Sequence, residues 1–195
     1  MFKYAAAFAL LASPALATGL EIDVQGEANG TIVIDLFEDV APLHVEQITK
    51  IAEAGSYNGV VFHRVIDGFM AQTGDVQNGV MGGDLSRAGT GGSEFPDIPA
   101  EFSDLPFERG VVGMARAGDP RCGGNYDCEA PEFLNSANSQ FFIVYEPAYF
   151  LNGGYTVVGE VVEGMDVLDA IKRGTGANGA VIGQPDMMSE VRVTE

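Results

Sequence analysis

The sequence contains no tryptophan, only two histidines and only two cysteines, and its ten Lys and Arg face 28 Asp and Glu. The shortage of basic residues disfavours nucleic acid and anionic membrane surfaces as partners, because both demand cationic faces. The scarcity of His and Cys argues against a structural zinc site, which needs about four ligands. His44 and His63 lie far in sequence from Cys122 and Cys128. There is no P-loop, no G-x-S-x-G and no EF-hand spacing, and no serine has a matching His and Asp arrangement. Gly174, Gly176 and Gly179 satisfy G-x-G-x-x-G but follow a helical pattern instead of linking a strand to a helix, so they do not read as a nucleotide fingerprint. No apolar run reaches the roughly 20 residues of a spanning helix, so stable membrane insertion is not expected. With 46% hydrophobic residues the chain is not of disordered composition.

What is present begins with a leader pattern. Met1-Phe2-Lys3 is short and basic, Tyr4 to Leu16 is apolar and alanine-rich, and Ala15-Leu16-Ala17 supplies small-x-small. Residues 1–17 are therefore expected to be a cleaved signal peptide, and the product to be exported, periplasmic or secreted. Residues 18–195 would form one domain large enough for its own core, with a net charge near −19 once Lys3 is removed. Cys122 and Cys128, with five residues between them in a polar, Gly-rich stretch, read outside the cytoplasm as a local disulfide. A loop that short would contribute about 2 kcal/mol.

Strands are expected at 22–24, 31–37, 60–65, 69–73, 111–116, 140–145, 156–162 and 190–194, each β-branched or aromatic and bounded by turn residues. Two helices are expected. One starts at Pro42, carries Leu43, Gln47, Ile48, Ile51 and Ala52 at helical spacing, and stops at Gly55. The other runs from Met165 through Leu168 and Ile171, with Lys172 and Arg173 near its end and Gly174 closing it. This count suggests an antiparallel barrel or sandwich with helices over its ends. The Gly- and Pro-rich stretch 75–107 reads as an extended surface loop, and loops of that length are usually functional.

The segment 62–75, FHRVIDGFMAQTGD, carries the chemistry. Period-2 alternation puts Phe62 and Arg64 on one strand face and His63 on the other. After the Asp67-Gly68 turn, Met70 and Gln72 share a face. Such a hairpin presents a cation, an amide and large apolar side chains together, or else a solvated arginine on an ordinary core. A second segment, SQFFI at 139–143, precedes FLNGG at 150–154 and the strand after it.

At this point the sequence resembles the cyclophilin family. FHRVIDGFMAQTGD, GTGG at 89–92, GMARAG at 113–118, SQFFI, FLNGG and TVVGEVVEGMDVLDAI at 156–171 follow its pattern in order, over nearly the whole segment 18–195. The resemblance implies a mainly β fold, a closed eight-stranded antiparallel barrel capped by two α-helices, with the active groove on its outer face. It implies a peptidyl-prolyl cis/trans isomerase acting on unfolded or proline-containing polypeptides without a cofactor or metal; a monomer is the default expectation, with the oligomeric state open. Arg64 matches the catalytic arginine, and Gln72 and Gln140 match polar groups that hold the substrate backbone; Arg64 and Gln72 are the expected catalytic pair. Phe69, Met70, Phe142 and Leu151 match the floor and walls of a proline pocket, and Ala115, Arg116 and Ala117 the strand edge along which the peptide lies.

Phe150 stands where many members have tryptophan, and Tyr155 where they have histidine. Both are features of bacterial exported members and argue against tight cyclosporin binding. Arg116 replaces a common asparagine and would bring a second cation near the groove, either structural or substrate-steering. Residues 119–135, holding both cysteines, look longer than the family's loop. They form either a disulfide-stiffened rim contacting the substrate chain or a plain surface insertion. A non-catalytic peptide-binding or chaperone module on the same barrel is the competing function, and an adhesive exported β-domain a third.

Overall fold

The computed structural model of the chain describes residues 18–123, 125 and 128–195. The expected leader, residues 1–17, lies outside them. Nine strands and three α-helices follow in order. They are β1 (Gly19–Gln25), β2 (Asn29–Leu36), α1 (Pro42–Glu53), β3 (Val60–Val61), β4 (Arg64–Ile66), β5 (Met70–Thr73), β6 (Val111–Met114), α2 (Pro131–Leu134), β7 (Phe141–Val144), β8 (Val157–Glu163), α3 (Met165–Ala170) and β9 (Met187–Thr194).

All strands belong to one antiparallel sheet, ordered β3-β9-β1-β2-β8-β6-β7-β5-β4. The mainly β expectation holds, but the closed eight-stranded barrel is corrected to an open nine-stranded ladder whose edges are β3 and β4. The break comes from pairing with a distant segment. The Phe62 amide donates to Asp186 O at 2.9 Å and His63 O accepts from the Val181 amide at 3.0 Å. The middle of the expected strand 60–65 is thereby taken by the segment leading to β9, and the strand splits into β3 and β4. The other seven expected strands each overlap an observed one.

Three helices replace the expected two, because α2 forms within the 119–135 insertion. In α1, Pro42 occupies the first turn and Gly55, at φ 69°, follows the cap residue Ala54, as its achiral backbone allows. The buried face is His44, Val45, Ile48, Ile51 and Ala52, while Leu43 is exposed, so the apolar stripe lies slightly off the expected one. α3 stops at Ala170, earlier than expected. The Lys172 amide donates to Asp186 Oδ2 at 2.6 Å and the Gly174 amide to Val65 O at 2.8 Å. These side-chain and strand partners replace the helical carbonyls, so Lys172 and Arg173 lie beyond the helix.

Strand alternation sorts the apolar residues onto two faces. Ala71, Val112, Met114, Phe141 and Ile143 join the main core with Ile22, Ile32, Ile34 and Phe62. Met70, Val111, Phe142 and Val144 point the other way and pack with Phe107, Ala148, Leu151 and Val157. Burying each large side chain contributes roughly 1.5–3 kcal/mol. The outer face of this sheet therefore carries a small second core, and that core becomes the floor of the site.

The expected loop 75–107 does lie against the domain, and three side chains pin it. Asp75, fully buried, accepts from the Gln77, Asn78, Gly89 and Gly91 amides at 3.2, 2.8, 2.7 and 3.0 Å. Asn138 Oδ1 accepts from the Ser93 amide at 2.7 Å, and its Nδ2 donates to Phe95 O at 2.9 Å. Glu101 accepts from the Leu43 and His44 amides at 3.1 and 3.0 Å. It caps an α1 whose own N-cap residue, Ala41, offers no side-chain acceptor.

Candidate active site

Register brings the site residues into one row across four strands. Arg64 in β4 pairs with Gln72 in β5, Gln72 with Phe142 in β7, and Phe142 with Gly113 in β6. Paired residues on one sheet face stand about 5 Å apart, so the row places a cation, an amide and an aromatic ring side by side. Gly113 is needed at its end. A Cβ there would sit 2.6 Å from both Phe107 and Phe142, whose rings stack at a centroid distance of 5.7 Å.

Arg64 Nη1 donates to Gln72 Oε1 at 3.1 Å and lies 3.7 Å from Met70 Sδ. Gln72 Nε2 donates to Gln140 Oε1 at 3.0 Å, and Gln140 Nε2 to Gly91 O at 2.7 Å. This relay ties the guanidinium to the Asp75-pinned loop. On its other side Arg64 is held by Asn178, through Nε to Asn178 O at 2.9 Å and Nη2 to Asn178 Oδ1 at 3.2 Å. Burial pulls the Arg64 guanidinium below the ordinary arginine value, with Tyr155 opposing. Arginine starts so high that it stays charged at physiological pH.

Beside the guanidinium is a concavity of about 290 Å³ lined by Arg64, Phe69, Met70, Gln72, Ala115, Arg116, Phe142, Phe150, Leu151 and Tyr155. Met70, Phe142 and Leu151 are buried and form the floor. Phe150 is 67% exposed and leans on Phe69 at a centroid distance of 5.3 Å, as an apolar rim. Tyr155 stands edge-on to Phe142 at 5.5 Å. A second, more polar concavity of about 710 Å³ adjoins it across Gln72, Ala115 and Arg116 and includes Ala117 and Gln140. All the expected site residues thus converge on two adjoining depressions, Ala117 and Gln140 in the second of them. Ala115 to Ala117 run on past the end of β6 at Met114, with the Ala115 amide donating to Gln140 O at 2.9 Å.

Three findings go beyond the sequence reading. Arg116, which borders both concavities, fits the structural alternative: its side chain is 3% exposed and ion-paired to Glu129, itself 2% exposed. Asn178, within the dismissed glycine run, is a main holder of Arg64; an Asn inside a Gly-rich turn was the available signal. Phe107, read as the end of a loop, is fully buried beneath the floor. The disulfide joins Cys122 to Cys128 as expected.

An apolar concavity with a fixed guanidinium at its lip, flanked by a polar depression, has the shape and chemistry to hold an extended peptide by one ring-sized apolar side chain. The comparisons agree. The family described as cyclophilin type peptidyl-prolyl cis-trans isomerase/CLD matches residues 20–193. A probable peptidyl-prolyl cis-trans isomerase of Brucella suis is 48% identical over 97% of this chain and 93% of its own length. Peptidyl-prolyl cis-trans isomerase B of Bacillus subtilis is 34% identical over 86% of this chain and 93% of its own. The crystal structure of a Cryptosporidium parvum cyclophilin type isomerase has the same fold, with a TM-score of 0.71 at 22% identity, covering 92% of this chain and 99% of that one. The chain belongs to the cyclophilin-type peptidyl-prolyl cis-trans isomerase family.

Proposed function

We propose that this isomerase accelerates prolyl-bond rotation in exported, incompletely folded polypeptides, with Arg64 acting on the prolyl nitrogen. The observation that carries the reading is the position of Arg64 at the lip of the apolar concavity, held by Gln72 on one side and Asn178 on the other.

An Xaa-Pro bond rotates slowly because amide resonance sets a barrier of roughly 18–20 kcal/mol. No bond breaks, so the catalyst needs neither nucleophile nor base. When the amide twists, the prolyl nitrogen loses conjugation and becomes a hydrogen-bond acceptor. A guanidinium already held in place donates to that nitrogen in the twisted state and not in the planar one. That difference lowers the barrier. Met70, Phe142 and Leu151 grip the ring while the preceding carbonyl swings. The extended 115–117 segment and Gln140 offer backbone-directed polar contacts, which favours broad sequence tolerance.

Export is supported by the leader pattern of residues 1–17 and by the Cys122–Cys128 bond, which belongs in oxidising compartments. The mature N-terminus of the cell-fractionated protein, expected at Thr18, tests it.

A proline-switch assay on the wild type and Arg64→Ala tests the chemistry. Wild-type turnover with a loss of roughly 100-fold or more in kcat/KM for Arg64→Ala is expected. An inactive wild type would favour a peptide-binding module, and a fully active variant would remove the role given to Arg64.

A further inference from the structure

Tyr155 forms one wall of the proline concavity, and its ring has a cation behind it. The Arg116 guanidinium carbon lies 4.7 Å from the Tyr155 ring centroid. Arg116 is fixed there by Nε donating to Gly154 O at 3.0 Å, Nη1 donating to Ala117 O at 3.0 Å, and the ion pair of Nη1 with Glu129 Oε2 at 2.5 Å. Glu129 comes from the insertion and directly follows Cys128, whose bond to Cys122 closes the ring at whose foot Glu129 stands. Among the described residues, none from 119 to 135 lines either concavity of the site. Among the described residues, the insertion therefore reaches the groove through the Glu129–Arg116 pair.

We infer that Glu129, carried by the disulfide-closed insertion, is a positioning residue that holds Arg116 against the Tyr155 ring and so fixes one wall of the proline concavity. The inference rests on the prolyl reading of that concavity. A guanidinium this deeply buried stays only where a partner neutralises it. Without Glu129 the side chain gains by turning to water, and the Tyr155 ring loses the face it rests on. The pair also cancels the Arg116 charge, so the field at the groove is set by Arg64.

The test is the kinetics of Glu129→Gln, which keeps the shape and removes the charge. KM for an Xaa-Pro tetrapeptide is expected to rise about threefold to tenfold, the range of a lost cation–π contact, with the loss falling on KM more than on kcat. The ring resonances of Tyr155 should move in the same variant. In an Arg116→Met background, Glu129→Gln should have no further effect on KM, because its path to the groove is gone. Cys122→Ser/Cys128→Ser keeps both charges but opens the ring that positions Glu129, and should raise KM in the same direction even if Glu129→Gln folds poorly. A folded Glu129→Gln with unchanged KM and unmoved Tyr155 resonances overturns the inference, as does an equal effect with and without Arg116. Titration of the tetrapeptide followed at Tyr155 reads affinity without turnover, so an inactive wild type would sink the isomerase reading and leave this readout standing.

Discussion

Asn178 holds Arg64 twice, by its backbone oxygen at 2.9 Å from Nε and by its side-chain oxygen at 3.2 Å from Nη2. It does so from the left-handed region, at φ 54° and ψ 30°, the only non-glycine with positive φ among the described residues. Asparagine tolerates that conformation, and an alanine there is strained by roughly 1–2 kcal/mol. The backbone geometry that aims the carbonyl and the side chain that supplies the second acceptor are thus combined in one residue.

Asn178→Gly keeps the backbone conformation and deletes only the side-chain acceptor. Its kcat/KM is expected to fall roughly threefold to tenfold, the effect of one hydrogen bond to a charged group, with little change in unfolding midpoint. Asn178→Ala should show the same kinetic loss plus a lower midpoint. Peptide turnover and urea unfolding of the two variants together separate aim from strain.

Asp75 is the far end of the same support. Its carboxylate accepts four backbone amides and positions the loop whose Gly91 O anchors Gln140, hence Gln72 and Arg64. Asp75→Ala strands those donors in a buried setting and should cost about 3 kcal/mol or more. Denaturant unfolding measures this directly. The folded fraction should also turn over more slowly, because the relay has lost its anchor.

Glu101 makes a parallel bond between loop and helix. It caps α1 through the Leu43 and His44 amides and bonds His44 Nδ1 at 2.6 Å. Glu101→Ala should lower stability by roughly 2 kcal/mol, combining a lost cap and a lost buried partner. With α1 remote from the Arg64 row, kcat/KM should stay within about twofold.

The strand pattern was legible because period-2 alternation is a local property. The same holds for Arg64, Met70 and Gln72, which one hairpin brings together from a span of nine residues. Phe142 and Leu151 required the family motifs, since nothing local says that their strand and turn lie beside that hairpin. The split of the 60–65 strand was hidden because its cause, the pairing of Phe62 and His63 with Asp186 and Val181, lies over 100 residues away. For Arg116 the sequence left a structural and a substrate-steering role open for a similar reason. Nothing local tells which role an arginine beside a groove takes until Glu129, 13 residues on, is seen to be folded back onto it.

The pH dependence separates stability from catalysis. Burial pushes His63 down to about 4, with the Asp75 carboxylate opposing and Arg64 assisting, and burial also lowers His44 against the pull of Glu101. In the unfolded chain both titrate near 6.5. Between that value and the lower folded one the unfolded state binds more protons, so stability rises with pH there. The contribution is fully present above about pH 6.5 and is lost as pH falls towards 4, roughly 3 kcal/mol for His63 alone. Unfolding free energy measured from pH 7 to 5 should therefore decline, and His63→Gln should flatten that slope whatever its absolute stability. An unchanged slope in the variant would assign the pH dependence elsewhere. Peptide turnover of the folded enzyme should stay level over the same interval, because the group proposed to act on the prolyl nitrogen is a guanidinium and does not titrate there.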